Sequence, residues 1–147
     1  MENVLIEKSK MRVHIPAADW EEAIRAAGKV LEEAGSISSA YTDAMIGAVK
    51  ELGPYMVIMP GFAIAHAAPS EAVLREDLAL ITLAAPVTFG CPNAPVSVIL
   101  CVACTDRDSH VRALQRVALA LDDEDIFTKM ADAATVDELF QVLHHQN

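Results

Sequence analysis

Val96-Ser97-Val98-Ile99-Leu100-Cys101-Val102-Ala103-Cys104 carries no charge and a single hydroxyl. A run this short and this apolar reads as a β-strand buried on both faces, which requires a covering layer on each side of its sheet. Leu78-Ala79-Leu80-Ile81-Thr82-Leu83-Ala84 has the same character, and Pro86 to Pro95 reads as the loop between the two. Upstream, Tyr55–Met59 and Phe62–Ala65 are two shorter strands separated by a Pro60-Gly61 turn.

The covering layers come from the flanks. Asp19 can cap a helix with Glu22 three residues on. Ala23, Ile24, Ala27, Val30 and Leu31 then recur at helical spacing until Gly35 ends the pattern. Ser38 or Ser39 opens a second helix through Tyr41, Met45, Ala48 and Val49, which ends near Gly53-Pro54. After Thr105 the pattern turns helical again, with Asp108 or Ser109 as cap and Val111, Leu114, Val117, Ala118 and Leu121 on one face. Shorter helices are predicted from about Glu124 to Ala131 and from Val136 to His144, the latter opened by Thr135 with Glu138 at the capping-box position. The expected fold is α/β: a three-layer sandwich in one domain spanning 1–147, a mixed sheet with helices on both faces.

Composition narrows the function classes. Hydrophobic residues make up 53% of the chain and charged residues 22%, as in a protein with a substantial core. The net charge of -10, without a Lys/Arg cluster, argues against nucleic acid and favours a basic protein partner. The uncharged stretch from Leu78 to Thr105 is split by Pro86, Gly90, Pro92 and Pro95 into pieces shorter than the ~20 residues of a membrane helix. With no signal-peptide pattern at Met1-Glu2-Asn3, a cytoplasmic chain without membrane insertion is expected.

Cys101-Val102-Ala103-Cys104 has C-x-x-C spacing, but on a strand side chains three apart point to opposite faces. Cys91, Cys101 and Cys104 therefore read as reduced cysteines. No metal or cofactor is expected, since P-loop, dinucleotide, zinc-protease and serine-elbow motifs are all missing.

His66 ends the apolar run Gly61-Phe62-Ala63-Ile64-Ala65, inside a stretch with no formal charge from Leu52 to Ser70. Imidazole can act as nucleophile near neutral pH, and a neighbouring carboxylate would repel an incoming phosphate. The plainer reading is a histidine at a strand end that hydrogen-bonds a backbone carbonyl. His110 follows 44 residues later, in the first turn of the helix after a buried strand. Such junctions are where open α/β sheets place their sites, and a helix N-terminus stabilises anions. Together the two make a coherent phosphoryl pocket. His14, beside Pro16 in a leading extended segment, and His144-His145, read as exposed tail residues, receive no role.

Leu52-Gly53-Pro54-Tyr55, then Pro60-Gly61-Phe62-Ala63-Ile64-Ala65-His66, and later Asp106 to His110 resemble the enzyme IIA component of the phosphoenolpyruvate-dependent sugar phosphotransferase system, mannitol/fructose type. Among its branches the chain looks most like the L-ascorbate one. Tyr41-Thr42-Asp43-Ala44-Met45, Leu80-Ile81-Thr82-Leu83, Leu121-Asp122-Asp123-Glu124-Asp125 and Val136-Asp137-Glu138-Leu139 extend the likeness over nearly the whole chain. The resemblance implies that His66 is the phosphoacceptor, charged by the phosphocarrier HPr and discharged to a cysteine of an enzyme IIB, and that His110 stabilises the phosphate. It also implies a mixed sheet flanked by helices.

The chain departs from the pattern at Ala65, where the family usually has proline, and at Ala68, where the ascorbate branch commonly has arginine. Lys50 occupies the neighbourhood of an arginine used by mannitol-type members and is carried as a third site residue, able to supply charge but no bidentate fork. Exposed apolar residues around His66, ringed by acids, are expected to form the docking face. A regulatory binding module of the nitrogen type, and a scaffold that has lost phosphotransfer, are the rival readings. The transported sugar, the phosphorylated ring nitrogen and a homodimer stay open.

Overall fold

The structure is a computed structural model that describes residues 6–53, 56–59, 61–90, 95–120 and 125–144, excluding the side chains of residues 58, 59, 110 and 117–120. After a 3₁₀ turn at Lys8–Lys10 the chain runs β1 (Met11–Ile15), α1 (Trp20–Glu33), α2 (Ser39–Leu52), β2 (Val57–Met59), β3 (Gly61–Ala65), β4 (Asp77–Val87), β5 (Val96–Ala103), α3 (Arg107–Ala120), α4 (Ile126–Asp132) and α5 (Val136–His144). The strands form one five-stranded sheet in the order β1-β4-β5-β3-β2. β1 runs parallel to β4 and β3 parallel to β5, while β4–β5 and β2–β3 are antiparallel.

The doubly buried reading of β5 is correct. Ile99, Cys101 and Ala103 face one core, with Ile24, Leu31, Tyr41 and Met45 from α1 and α2. Val98, Leu100 and Val102 face a second core, with Ile126, Phe127, Met130, Leu139 and Leu143 from α4 and α5. Ala113 and Leu114 of α3 pack on that second core. The three-layer sandwich follows, since each fully buried Leu or Ile contributes roughly 1.5–3 kcal/mol on leaving water. On the second face Phe62 stacks on Phe127 with centroids 4.4 Å apart.

The cysteines follow the same alternation. Cys101 belongs to the first core and Cys104 to the second, both buried and reduced; Cys91 lies outside the described residues. Burial, with the fields of Asp77 and Glu32 added, pushes the Cys101 thiol up to about 12. Thiolate is the reactive species, so Cys101 should stay unmodified by an aromatic disulfide reagent at pH 8 until the protein unfolds. Mass mapping of the native and denatured reactions checks this, and rapid native labelling at Cys101 would contradict the packing.

While other sequence expectations need correction, the leading extended segment expected at His14 is present as an edge strand, β1, with a bulge between Arg12 and Ile15. There His14 takes φ 52 and its N–H donates to Thr82 Oγ1 at 2.8 Å instead of joining the ladder. β4 runs on through Pro86 to Val87 because the register with β5 shifts between Thr82 and Val87, and an irregular ladder tolerates a residue without an N–H. α3 starts at Arg107, capped by Asp106 and not by Asp108 or Ser109. α4 starts two residues later than expected, at Ile126. His144 is not an exposed tail residue: it lies half-buried in α5, with Nδ1 donating to Phe140 O (3.1 Å) and Nε2 accepting from Ile6 N (3.3 Å). His145 lies outside the described residues.

Candidate functional site

Register brings the site elements to one end of the sheet. Ala65 pairs with Cys101 and Asp77 with Ala103, so the C-terminal ends of β3 and β5 lie beside the start of β4. His66 is the first residue beyond β3, and α3 begins at Arg107, just past β5. Phe62 and Ile64 face the second core, the one α3 packs on, whereas Ala63, Ala65 and Ala67 face the first. By the two-residue period of a strand His66 continues the parity of Phe62 and Ile64, toward the α3 layer.

His66 is partly exposed, and its Nδ1 lies 2.8 Å from the carbonyl oxygen of Ile64. A carbonyl only accepts, so Nδ1 carries the proton and the lone pair of the neutral ring resides on Nε2. The plainer reading of this histidine, bonded to a backbone carbonyl at a strand end, is therefore observed. It supports the chemical reading as well, because the bond sets which nitrogen can attack.

The segment after His66 is held at both ends. Tyr41, wholly buried in α2, accepts the Ala67 N–H on its hydroxyl at 3.1 Å. The same hydroxyl lies 2.8 Å from Val102 O and 3.1 Å from Ala67 O, either of which can take its proton. Further on, Ser38 N donates to Ala72 O (2.9 Å), Leu74 N to Ser36 O (2.8 Å), and Ile37 bridges Val73. Ser36 Oγ donates to Asp77, which also receives Lys10 Nζ at 3.0 Å, and Arg75 NH2 reaches Ala34 O at 2.6 Å. In the sequence Tyr41 stood on the apolar stripe of the second helix and within a likeness, with no role at the site. The signal was there, since a tyrosine hydroxyl on a buried helix face needs a partner.

His110 occupies the first turn of α3, at the same sheet end as His66; its ring lies outside the described side chains. Asp106 carries that helix start: its Oδ1 accepts from Ser109 N at 2.7 Å, and its own N–H donates to Ser109 Oγ at 3.3 Å. Hydrogen bonds from the Ser109 and Asp108 amides, helped by Arg112, hold the Asp106 carboxyl below the usual aspartate range. Part of the amide set expected to dock phosphate around His110 is thus engaged by a carboxylate of the chain itself, whose negative charge opposes a second anion nearby.

Lys50 lies in the last turn of α2, and its exposed ammonium pairs with the half-buried Glu21 of α1 at 3.4 Å. Met56, six residues on, accepts Ile64 N on its carbonyl at 2.9 Å, so the chain leaving α2 passes close to the end of β3. The structure thus shows Lys50 engaged with Glu21 and not with His66. Val111, beside His110, is 47% exposed and Leu52, at the end of α2, 66%. The charges at α3 are of both signs, with Arg107 and Arg112 exposed beside Asp106 and Asp108, where acids alone were expected.

A strand-end histidine with its proton held on Nδ1 can present a nucleophilic nitrogen, and comparison with known proteins identifies the family to which the chain belongs. The model of the family described as phosphoenolpyruvate-dependent sugar phosphotransferase system, EIIA 2, matches residues 4–146. The chain belongs to this enzyme IIA family. It is 33% identical to SgcA of Escherichia coli strain K12 over 128 residues, 86% of this chain and 90% of that one. To the ascorbate-specific EIIA component of the same strain it is 28% identical over 145 residues, 97% and 94% of the two chains. The solution structure of the mannitol-specific cryptic enzyme IIA CmtB of Escherichia coli superposes with TM-score 0.87 at 27% identity, covering 98% of this chain and 100% of that one. The Escherichia coli mannitol enzyme IIA, solved in complex with phosphorylated enzyme IIB, shares the fold at TM-score 0.84 and 24% identity, over 96% and 98% of the chains.

This enzyme IIA is accordingly a cytoplasmic phosphotransferase component that relays phosphoryl groups through a phosphohistidine. No helix among the described residues is long and apolar enough to cross a membrane.

Proposed function

We propose that this enzyme IIA takes a phosphoryl group onto Nε2 of His66 from a phosphohistidine of HPr and hands it to a cysteine thiolate of an enzyme IIB, in the uptake of L-ascorbate. The observation that carries the reading is the Nδ1–H bond to Ile64 O, which leaves the nucleophilic lone pair on Nε2. In the first step that pair attacks phosphorus in line, the donor P–N bond breaks, and the donor imidazole departs neutral with its electrons. The product ring bears phosphoryl on Nε2 and a proton on Nδ1, so it is cationic, and the Ile64 carbonyl stabilises it. When a thiolate then attacks phosphorus, the His66 ring leaves as neutral imidazole, a far better leaving group than an imidazolate. Little other covalent chemistry is needed, since phosphoryl transfer depends mainly on positioning and charge stabilisation.

His110 is the proposed neighbour of the phosphate, supported by its place in the first turn of α3 and by the strand parity that turns His66 toward that layer. With the α3 amides on Asp106, the His110 side chain takes a larger share of phosphate stabilisation than the helix end does. Lys50 would join only by leaving Glu21. The exposed Val111 and Leu52 are the apolar part of the proposed docking face. The ascorbate assignment is supported by the ascorbate-specific relative, and the enzyme IIB partner by the mannitol complex that shares this fold.

The test is reconstitution: phosphoenolpyruvate, enzyme I and HPr should load the protein at His66, located by mass mapping, and an ascorbate-type enzyme IIB should unload it faster than a mannitol-type one. Loading elsewhere than His66 defeats the reading. His110→Ala should still load but about 100-fold more slowly, the typical cost of removing one charge-stabilising donor. An unchanged rate removes His110 from the mechanism.

A further inference from the structure

The Tyr41 hydroxyl belongs to no step of that chemistry, yet it is fully buried and meets the chain one residue beyond the phosphoacceptor. We propose that Tyr41 is a positioning residue for His66: by fixing the peptide at Ala67 to α2 and the end of β5, its hydroxyl keeps the imidazole on Ile64 O and so selects the Nδ1–H tautomer. The proposal rests on His66 as phosphoacceptor.

His66 is the single residue between β3, which ends at Ala65, and Ala67. The Nδ1–H···O=C bond spans only two residues, from His66 back to Ile64, so its length depends on the backbone from Ala65 to His66 together with the His66 side-chain torsions. Upstream that backbone is set by the ladder, where Ile64 pairs with Leu100 and Ala65 with Cys101. Downstream the ladder stops, and the next restraint is the Tyr41 hydroxyl, which accepts Ala67 N–H while lying 2.8 Å from Val102 O, one residue past the last β3–β5 pair. In effect the hydroxyl replaces the missing rung of the ladder. Without it the backbone at His66 is held from the ladder side alone and can shift as a unit, the carbonyl bond lengthens, and the ring populates the Nε2–H form, whose attacking nitrogen is protonated.

The role has a physical reason to fall on this chain, since Ala65 stands directly before His66. At that position only the ladder pair with Cys101 holds φ, since an alanine lacks the ring by which a proline would fix it near −65°. Tyr41 supplies from the other side a restraint that the residue before the histidine does not.

The test is Tyr41→Phe, which keeps the ring and removes the hydroxyl, read in two ways. Nitrogen-15 NMR of His66 in the unphosphorylated protein should show a predominantly Nδ1–H neutral ring in the wild type and a mixture of tautomers in the variant. In the HPr-driven assay the variant should lose about tenfold in kcat, matching a largely wrong-tautomer population, with KM for HPr within twofold. An unchanged tautomer and unchanged kcat in a folded variant overturn the proposal. So does a wild-type ring already in the Nε2–H form, a result that needs no variant and stands even where Tyr41→Phe does not fold. The tautomer is read without phosphorylation, so a wild-type protein that holds Nδ1–H yet takes no label at His66 refutes the phosphoacceptor reading and leaves the positioning geometry intact.

Discussion

His66→Ala should take up no phosphoryl group from the HPr relay, its label falling to background while the wild type loads fully. No other side chain in the described site duplicates a partly exposed imidazole whose proton is held on Nδ1 by a carbonyl. The substitution should leave the fold standing. It deletes the bond from Nδ1 to Ile64 O at a partly exposed position, a hydrogen bond worth about 0.5–1.5 kcal/mol, and takes no apolar group from either core. Circular dichroism and thermal melting run beside the labelling separate loss of the nucleophile from loss of the protein. The wild-type label should also be released by mild acid and survive alkali, as a phosphoramidate does and a phosphoserine does not. A folded alanine variant that still labels fully would mean that the nucleophile lies elsewhere.

How much of this was legible in the chain depended on how far each feature is set by local chemistry. β5 could be read directly because doubly buried strands must be apolar throughout, and α1 because Asp19, Glu22 and Gly35 bracket a regular apolar stripe; Asp19 does accept from Glu22 N at 2.9 Å. β1 was less visible. Met11-Arg12-Val13-His14-Ile15 is a half-exposed edge strand, its bulge is written in the backbone angle of His14, and its strand partner β4 lies far along the chain. At the candidate site, spacing and the family likeness singled out His66 and His110 as candidates but not the contacts around them. The Asp106 cap competes for the very amides that a helix start advertises as an anion site, and a capping carboxylate just upstream of a helix is ambiguous until the bond is seen. The Tyr41–Ala67 contact joins residues 26 apart through a side chain, and helical periodicity counts Tyr41 simply as buried surface. Lys50 shows the same limit: charge and position along the sequence were readable, but its pairing with Glu21 depends on how α1 and α2 cross.

That crossing sets up the largest expected effect on stability. Gly28 sits on the buried face of α1, where a β-carbon would lie 2.4 Å from Thr42 Oγ1, 3.0 Å from its Cγ2 and 3.2 Å from its Cβ. Glycine in mid-helix costs about 1 kcal/mol relative to alanine, so its presence here answers to close approach. Thr42 cannot simply turn aside, because it is buried and its Oγ1 donates to Glu32 Oε2 at 2.6 Å. Gly28→Val should therefore lower stability by about 3 kcal/mol, the upper end of ordinary overpacking, and reduce Tm by roughly 6–12 °C for a chain of this size. The displacement should reach the chemistry too, since Thr42 adjoins Tyr41 and any outward shift of the first turn of α2 draws the hydroxyl from Ala67. The phosphotransfer rate of Gly28→Val should fall below wild type even at 10 °C, where the variant is still folded. Thr42→Ala removes two of the three obstructing atoms, so in a Gly28→Ala/Thr42→Ala double-mutant cycle the second substitution should recover part of what the first loses, a coupling expected only between groups in contact. Strict additivity in Tm and rate would show that α1 and α2 separate freely at this point, and that the packing does not transmit strain to His66.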